Sequence, residues 1–243
     1  MTQILADSPA PLTAPSNRLA WKRARSELMW RDHGFLRILF RNFHRLGPDL
    51  ARCNQPSPEQ LARYAAMGFR TVINLRGAND RGHYILEREA CHRLGLQLID
   101  FPTTSNLAPE RETILAARDL FASIRSPALM HCKSGSDRTG LMGVLYRHLV
   151  EGVPMAVAVE QLAPRYLHVR HGKAGILDAF FAAYLTETDG RKPFMDWVSE
   201  DYDPTALQAA YKRGVWAKGL IDLLLDWTHD LPAAPKARPL PQA

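Results

Sequence analysis

The sequence contains little cysteine: its three thiols, at Cys53, Cys91 and Cys132, are an odd and sparse set among 243 residues. This number argues against a secreted scaffold held by disulfides and favours a reducing compartment. Long apolar runs are also missing, since none approaches the length of a membrane span. The first twenty residues lack the charged-then-apolar order of a signal peptide. We therefore expect a cytoplasmic protein.

The remaining composition is that of an ordinary globular protein, 46% apolar and 23% charged, with a net charge of +6. The proline-rich ends predict a disordered leader at residues 1–17 and a disordered tail at 232–243, around a single domain at 18–231. Positive charge by itself permits nucleic-acid binding, but no motif accompanies it. No nucleic-acid partner is therefore expected.

One stretch, residues 131–140 with the sequence HCKSGSDRTG, carries most of the chemical information. The apolar run before it predicts a buried strand, and the apolar run after it predicts a helix. Such a turn forms an anion cradle, because backbone N–H groups converge there and the helix N-terminus adds partial positive charge. A glycine in the turn permits a conformation or a close approach that a side chain would block. The residues predicted to bind phosphate are Lys133, Ser134, Gly135, Ser136, Asp137, Arg138 and Thr139.

Cys132 is expected at the centre of this cradle. A helix N-terminus and a nearby cation stabilise a thiolate, and Thr139 is placed to donate a hydrogen bond to it. Arg138 offers a planar fork suited to two phosphate oxygens. A thiolate beside bound phosphate predicts phosphoryl transfer through a phosphocysteine that water then hydrolyses. Cys132 and its neighbour His131 lack the ligand spacing of a metal motif, so neither a metal nor another cofactor is expected.

The order His-Cys, five residues, Arg and then Thr-Gly resembles the signature of the cysteine-dependent protein tyrosine phosphatase superfamily. The likeness is greatest to its compact dual-specificity, phosphoinositide and bacterial branches, and it covers roughly residues 43–185. It implies a metal-independent phosphomonoesterase with the fold of a dual-specificity phosphatase. It also implies a general acid that protonates the leaving group.

Two aspartates are candidates for that acid. In the resembling family an aspartate upstream of the cysteine serves, and Asp100 stands 32 residues before Cys132, although its segment predicts a strand rather than a loop. The run Lys-Ser-Gly-x-Asp-Arg-Thr-Gly is similar to the loop of myotubularin-type lipid phosphatases and of some bacterial phosphatases. There an aspartate before the arginine can reach the leaving oxygen, which makes Asp137 the second candidate, with a bracing role as its alternative. The sequence leaves both open.

Between residues 43 and 102, β-rich apolar runs alternate with helical patterns. This alternation predicts an α/β fold with a mostly parallel central sheet flanked by helices, extended by further N- and C-terminal helices. Ligands bind beyond the carboxyl ends of such strands, where Arg76 follows one strand. Arg76 is therefore a candidate substrate-binding residue, with a solvated loop as the alternative.

The basic segment at residues 165–173 is a second candidate for the mouth of the site. In the resembling family the corresponding segment returns to the cleft, so His168, Arg170 and Lys173 are candidate lining residues, with Arg170 and Lys173 assigned to substrate binding. A solvated basic turn is the alternative. Since the segment contains no glutamine, the family's water-positioning role cannot be transferred to it.

Residues 18–45 contain eight arginines and lysines against two acidic residues, with apolar residues between them. One interpretation is a helix that packs its apolar side on the domain. The other is peripheral contact with an anionic membrane. At the other end, the apolar positions of residues 205–227 predict one or two amphipathic helices that contribute to the core.

Together these patterns predict hydrolysis of phosphomonoesters on phosphotyrosine or dual-specificity protein substrates. A phosphoinositide or another polyphosphorylated substrate is the alternative within the same class. A phosphate-binding or membrane-scaffolding module without turnover is the alternative from another class.

Overall fold

The computed structural model describes residues 18–32 and 40–212. At its centre lies a five-stranded sheet of β1 (His44–Arg45), β2 (Leu50–Cys53), β3 (Thr71–Asn74), β4 (Gln97–Asp100) and β5 (Ala128–His131). The strand order is β1-β2-β5-β3-β4. β1 pairs antiparallel with β2, and the other neighbours are parallel. The predicted, mostly parallel α/β sheet is confirmed, and β5 occupies its middle.

Helices connect the strands and extend beyond the sheet at both ends. They are α1 (Arg18–Ser26), α2 (Pro58–Ala66), α3 (Gly82–Leu94), α4 (Arg111–Ser123), α5 (Asp137–Leu149), α6 (Met155–Ala158), α7 (Ile176–Thr188), α8 (Phe194–Glu200) and α9 (Pro204–Lys212). A π-helical turn, Glu27–Arg31, continues α1. Single 3₁₀ turns lie at Val159–Leu162, Pro164–Tyr166 and Lys173–Gly175.

The two faces of the sheet bury different helices, because successive side chains of a strand point in opposite directions. On one face, Val72 packs with Ala90 and Cys91 of α3, and Leu129 packs with Tyr64 of α2. The opposite face carries the larger core, in which residues of α4, α5 and α7 surround β3 and β5. A residue's position in a strand therefore decides which set of helices it meets.

The start of α2 illustrates how closely local sequence specifies these elements. The Ser57 side chain accepts a hydrogen bond from Gln60 N at 3.2 Å, and the Gln60 side chain accepts one from Ser57 N at 2.7 Å. Pro58 occupies the first helical turn, where its missing N–H leaves no bond unmade. Ser57 and Gln60 thus form a reciprocal capping box.

Residues 18–32 pack against the domain. Ala24 of α1 is buried against α3, where Gly82 presents only backbone, and Gly82 N donates to Glu27 Oε2 at 3.1 Å. The Arg25 side chain remains 65% exposed. For this segment the packing interpretation holds only in part, because Leu19, Met29 and Trp30 remain 57%, 36% and 69% exposed. Residues 33–39 of the same basic region lie outside the described residues. Within the described ranges, no helix is long and apolar enough to cross a membrane.

The C-terminal helices complete the larger core. Trp197 of α8 is 1% exposed and packs among Phe180, Tyr184 and Tyr202, while its Nε1 donates to Glu187 Oε2 at 2.8 Å. The helix predicted from residue 205 is present as α9. The rest of that prediction, residues 213–227, lies outside the described residues, as do the predicted leader and tail.

Gly82→Ala tests the docking of α1. A Cβ at this position would stand 2.5 Å from Ala24 O and 2.8 Å from Ala24 Cα, so the backbone of α1 must move away. We expect a cost of about 1–3 kcal/mol, which appears as undocking of α1 and faster tryptic cleavage within residues 18–32, while the core keeps its melting temperature. Arg93→Ala, on an exposed position of α3, is the control. Cleavage at the control rate would show that the contact does not hold the segment.

Candidate active site

The nucleophile candidate lies directly after β5, at the carboxyl edge of the sheet. Cys132 is 2% exposed, and Gly135 N donates a hydrogen bond to its Sγ at 3.2 Å. Lys133 and Ser134 are exposed on the loop, and α5 begins five residues after the cysteine, at Asp137. The thiol thus sits at the base of a strand–loop–helix turn, as the sequence predicts.

The loop has an outer side, where four consecutive carbonyl oxygens, those of residues 133–136, are bound. Gln55 N donates to Lys133 O at 3.2 Å. Asn42 Nδ2 donates to the carbonyl oxygens of residues 134 and 135 at 3.1 and 2.8 Å. Arg52 Nη2 donates to those of residues 135 and 136 at 2.9 and 2.8 Å. In a trans peptide the C=O and the following N–H point in opposite directions. The N–H groups of residues 134–137 are therefore turned to the other side, where Sγ lies.

Arg52 is the central donor of this arrangement. It is 0% exposed, and its Nη1 donates to the backbone and side-chain oxygens of Gln161 at 2.8 and 3.0 Å. Its guanidinium lies 4.3 Å from the centre of the Tyr166 ring. Burial lowers the pKa of Arg52 to about 10, so the group stays charged at neutral pH. A positive charge is thereby fixed beneath the loop.

Gly135 is required by the shape of the loop for two reasons. Its φ is +70°, in the left-handed region that side chains disfavour. A Cβ there would also stand 2.6 Å from the Cys53 carbonyl and 2.7 Å from Asn54 N. The loop can approach β2 this closely only without a side chain, as the sequence predicts for this position.

Thr139 does not have the predicted role. Its side chain is fully buried, its hydroxyl donates to Ser136 O at 3.0 Å, and it accepts from Arg52 Nη2 at 3.1 Å. A hydroxyl can donate only one hydrogen bond, and here the Ser136 carbonyl oxygen accepts it. The predicted hydrogen bond to the Cys132 thiolate is therefore wrong for this structure, whereas phosphate binding by Thr139 stays a prediction.

Arg138 and Lys133 lie at the edge of the loop. Arg138 is half-buried and reaches from α5 to the end of β3, where its Nη1 donates to Leu75 O at 3.3 Å. The Lys133 side chain is 46% exposed, with Nζ 3.8 Å from Asp32 Oδ1. Phosphate binding by both residues stays a prediction.

Arg76 is not a free cation at the mouth. Its two Nη atoms donate to both carboxylate oxygens of Asp32 at 2.9 Å each, and Nη1 also donates to Gln55 Oε1 at 2.8 Å. The Arg76 side chain is only 12% exposed. Substrate binding by Arg76 stays a prediction, and in this structure the N-terminal segment supplies the carboxylate that Arg76 binds.

Asp100 faces away from the nucleophile. Asn74 lies opposite both Asp100 and His131 in the parallel register, so these three side chains share the face covered by α3. Tyr84 Oη of α3 donates to Asp100 Oδ2 at 2.5 Å, and Asn74 Nδ2 donates to Oδ1 at 2.8 Å. Burial raises the pKa of Asp100, although these hydrogen bonds oppose the rise. Cys132 belongs to the core of the opposite face, so the geometry contradicts Asp100 as the general acid.

Asp137 is the carboxylate that belongs to the loop. Its Oδ1 accepts from Ser136 Oγ at 3.0 Å and lies 2.8 Å from His168 Nδ1. Burial alone would raise the pKa of Asp137, but the hydrogen bonds from His168 and Ser136 outweigh it and hold the pKa below its ordinary value. The side chain is 29% exposed and can therefore meet a ligand.

The basic segment at residues 165–173 reaches the site through one residue, His168. Arg170 is 47% exposed and its Nε donates to Asp178 Oδ1 at 3.0 Å, while Lys173 is exposed in its 3₁₀ turn. The predicted return of this segment to the loop is confirmed for His168. Substrate binding by Arg170 and Lys173 stays a prediction, with one donor of Arg170 already used.

The other two cysteines lie outside the loop, Cys53 in β2 and Cys91 in α3. Cys53 and Cys91 are buried, and burial raises the pKa of both thiols, so they stay protonated. Among the described residues, no group of three or more His, Cys, Asp or Glu side chains is arranged to hold a metal ion.

Residues 47–176, just over half of the chain, match the family described as DSP-PTPase phosphatase fused to NAD+ kinase. The dual specificity protein phosphatase TpbA, from two strains of Pseudomonas aeruginosa, is 29% identical over 122 residues. The match covers 50% of this chain and 53% of TpbA, so the chain spans about half the length of the curated relatives it matches.

Solved structures of lower identity resemble the chain as well. The crystal structure of P. aeruginosa TpbA has a TM-score of 0.49 at 23% identity and covers 70% of this chain and 90% of its own. That of PTPMT1 has a TM-score of 0.46 at 15% identity and covers 60% of this chain and 98% of its own.

Arg52→Met tests the outer side of the loop. The change keeps an apolar stem but removes the donors to the loop carbonyls and to Gln161, so buried oxygens lose partners. We expect a loss of about 3 kcal/mol or more in the free energy of unfolding, measured by urea denaturation. Arg70→Met, at an exposed arginine just before β3, is the control and should stay within about 0.5 kcal/mol of wild type. Equal losses in the two variants would contradict the role of Arg52.

Proposed function

The chain belongs to the DSP-PTPase phosphatase family, and from this membership we propose that it hydrolyses phosphomonoesters of proteins through a phosphocysteine on Cys132. The observation that carries the proposal is the outward binding of the four loop carbonyls. It turns consecutive N–H groups towards the sulfur, and one of them already donates to Sγ. A ring of donors around a nucleophile suits a phosphoryl group, whose oxygens carry negative charge throughout transfer.

In the first step of the proposed mechanism, the Cys132 thiolate attacks phosphorus. The S–P bond forms as the bond from phosphorus to the leaving oxygen breaks. Arg138 and the N–H groups of residues 134–137 bind the three non-bridging oxygens. Asp137 acts here in its protonated form, which its lowered pKa confines to acidic solution. It gives that proton to the leaving oxygen, so the product alcohol departs neutral.

In the second step, water attacks the phosphocysteine. The Asp137 carboxylate left by the first step accepts a proton from this water as its oxygen bonds to phosphorus. The S–P bond breaks, and Cys132 returns as the thiolate while inorganic phosphate is released. The same carboxyl group thus acts first as acid and then as base, and the enzyme ends in its starting state.

A cavity beside the loop supports a substrate larger than a phosphate. It has a volume of about 300 Å³ and adjoins the loop through Gln55, which lines it and whose backbone N binds the loop at Lys133 O. Three arginines, one glutamate and a few apolar side chains are among its lining residues. They are Arg25, Arg41, Arg63, Glu59, Leu28, Met29 and Pro58. Glu59 pairs with Arg25 at 3.1 Å, so Arg41 and Arg63 are the cations that suit acidic residues flanking a phosphorylated side chain.

The relatives agree with a protein substrate, since TpbA is named a dual specificity protein phosphatase. We therefore propose phosphotyrosine or dual-specificity protein substrates. Phosphoinositides share the phosphomonoester chemistry, and they form the competing arm of the substrate test below.

The first test is hydrolysis of para-nitrophenyl phosphate in the presence of EDTA. Wild-type protein should be active, and Cys132→Ser should fall to the background rate, because the serine hydroxyl is not ionised at neutral pH. Cys91→Ala, which removes a buried thiol on the α3 face, is the control and should retain activity. Full activity of Cys132→Ser would eliminate the phosphocysteine.

The second test compares substrates. Phosphotyrosine peptides with acidic flanking residues should give a higher kcat/KM than phosphoinositides in mixed micelles. Arg63→Ala should raise KM for the acidic peptide several-fold and leave para-nitrophenyl phosphate unchanged, since a flanking contact is worth roughly 1 kcal/mol. Arg70→Ala, an exposed arginine outside the cavity, is the matched control. A higher kcat/KM for the lipid would reject protein as the substrate class.

A further inference from the structure

His168 is clamped between two carboxylates. Its Nδ1 lies 2.8 Å from Asp137 Oδ1, and its Nε2 lies 2.7 Å from Asp178 Oδ2. The three residues come from separate elements: Asp137 opens α5, His168 follows the 3₁₀ turn Pro164–Tyr166, and Asp178 lies in the first turn of α7. A row of proton-binding groups therefore runs from the phosphate loop into the protein.

Both ring nitrogens of His168 face carboxyl oxygens, and while both carboxyl groups are ionised, both hydrogen bonds form together only if each nitrogen carries a proton. Burial lowers the pKa of His168, since its side chain is 1% exposed, but the hydrogen bonds to Asp137 and Asp178 outweigh this and raise the pKa to about 9. At neutral pH the cluster therefore contains an imidazolium between two carboxylates.

The cluster treats the two oxygens of Asp137 differently. Oδ1 receives both hydrogen bonds, one from His168 and one from Ser136. The carboxyl plane is thereby fixed, and Oδ2 is the oxygen that remains for exchange of a proton with a ligand in the loop. Of the two carboxylates, Asp178 has only 6% of its side chain exposed, whereas Asp137 has 29%.

We propose that His168, backed by Asp178, is a positioning residue that holds Asp137 by Oδ1 and presents Oδ2 to the leaving oxygen of the substrate. This inference rests on the function proposed above. In the transfer step the S–P bond forms, the bond to the leaving oxygen breaks, and the proton moves from Oδ2 to that oxygen. The imidazolium then stabilises the carboxylate that remains, until water returns a proton to Oδ2 in the second step.

The charges around the cluster decide how activity depends on pH. Arg52 from β2 and Arg138 from α5 face Asp137, and Arg170 binds Asp178. Together with His168 these cations favour the ionised form of Asp137. The proton-donating form of Asp137 therefore predominates only in acid and is lost as the pH rises through the lowered pKa. Removal of the His168 charge should raise the pKa of Asp137 and extend this form to higher pH.

Two replacements of His168 separate position from charge. In His168→Asn the amide nitrogen takes the place of Nδ1 and can still donate to Asp137, but it carries no charge. In His168→Gln the amide takes the place of Nε2 and reaches Asp178 instead, so Asp137 loses one of its two hydrogen bonds and keeps only that from Ser136. The readout is kcat/KM for substituted phenyl phosphates, plotted against the pKa of the leaving group, at several pH values.

We expect the plot to steepen in His168→Gln and to approach that of Asp137→Asn, with a loss of about 10²-fold on an alkyl phosphate. His168→Asn should keep the wild-type slope of the leaving-group plot. The pH at which its activity falls on the alkaline side should move to a higher value. If the role of His168 were purely structural, kcat/KM would instead fall by the same factor for all substrates in both variants, and that result overturns the proposal. An unchanged slope in His168→Gln overturns it as well.

Asp178→Asn keeps the inference testable if the His168 variants fail to fold. The asparagine can still accept from Nε2, but without the negative charge His168 loses its proton more readily. The alkaline limb of the pH profile should again move to higher pH, and a limb at the wild-type pH contradicts the proposal. Failure of the proposed function itself would look different, because wild-type protein would then not hydrolyse even para-nitrophenyl phosphate, or Cys132→Ser would hydrolyse it equally well.

Discussion

The site depends on one constraint: the carbonyl oxygens of the loop after β5 must point away from the sulfur. Parallel pairing of β2 with β5 provides for this, because Cys53 lies opposite His131 and the residues around the end of β2 run beside the loop. Arg52 precedes Cys53 and Gln55 follows it by two residues, and both bind the loop carbonyls directly. Asn42 completes the set from a backbone φ of +45°, which asparagine tolerates better than most residues. The orientation of its amide is fixed by His44, whose Nε2 lies 3.0 Å from Asn42 Oδ1.

Gln55 also connects the loop to the N-terminal segment. Its side-chain oxygen accepts from Arg76, which binds Asp32, and its amide nitrogen donates to Glu87 at 3.0 Å. Glu87 in turn lies 2.5 Å from Nε2 of His131, the residue before the nucleophile. The docked segment and the start of the loop are therefore joined by consecutive polar contacts. Since these groups are largely buried, loss of one partner leaves the next without compensation.

The sequence was sufficient for the elements and for the loop, because both depend on local pattern. Alternating apolar runs located the strands, Ser57 and Gln60 specified a cap, and residues 131–140 specified a strand–loop–helix turn. Partners between distant residues could not be predicted in this way. Arg52 occupies a short strand in which nothing marks its contacts, and the partner of Arg76 comes from 44 residues upstream. Asp100 is different, since its alternation with Ile99 and Phe101 already indicates the face opposite to Cys132.

A histidine paired with a carboxylate occurs twice, as His131 with Glu87 and as His168 with Asp137. The two pairs differ in their exposure to solvent. His131 and Glu87 have 0% of their side chains exposed, so their protons have no path to a ligand, and the pair can act only as a brace for the loop. His168 is equally buried, but its partner Asp137 is 29% exposed and lies within the loop itself. Exposure of one carboxylate is what makes proton exchange with a bound substrate physically accessible. The alternation of side chains along β5 thus places the His131–Glu87 pair on the face covered by α3, and the start of α5 places the partly exposed Asp137 within the loop, where the proposed proton exchange requires it.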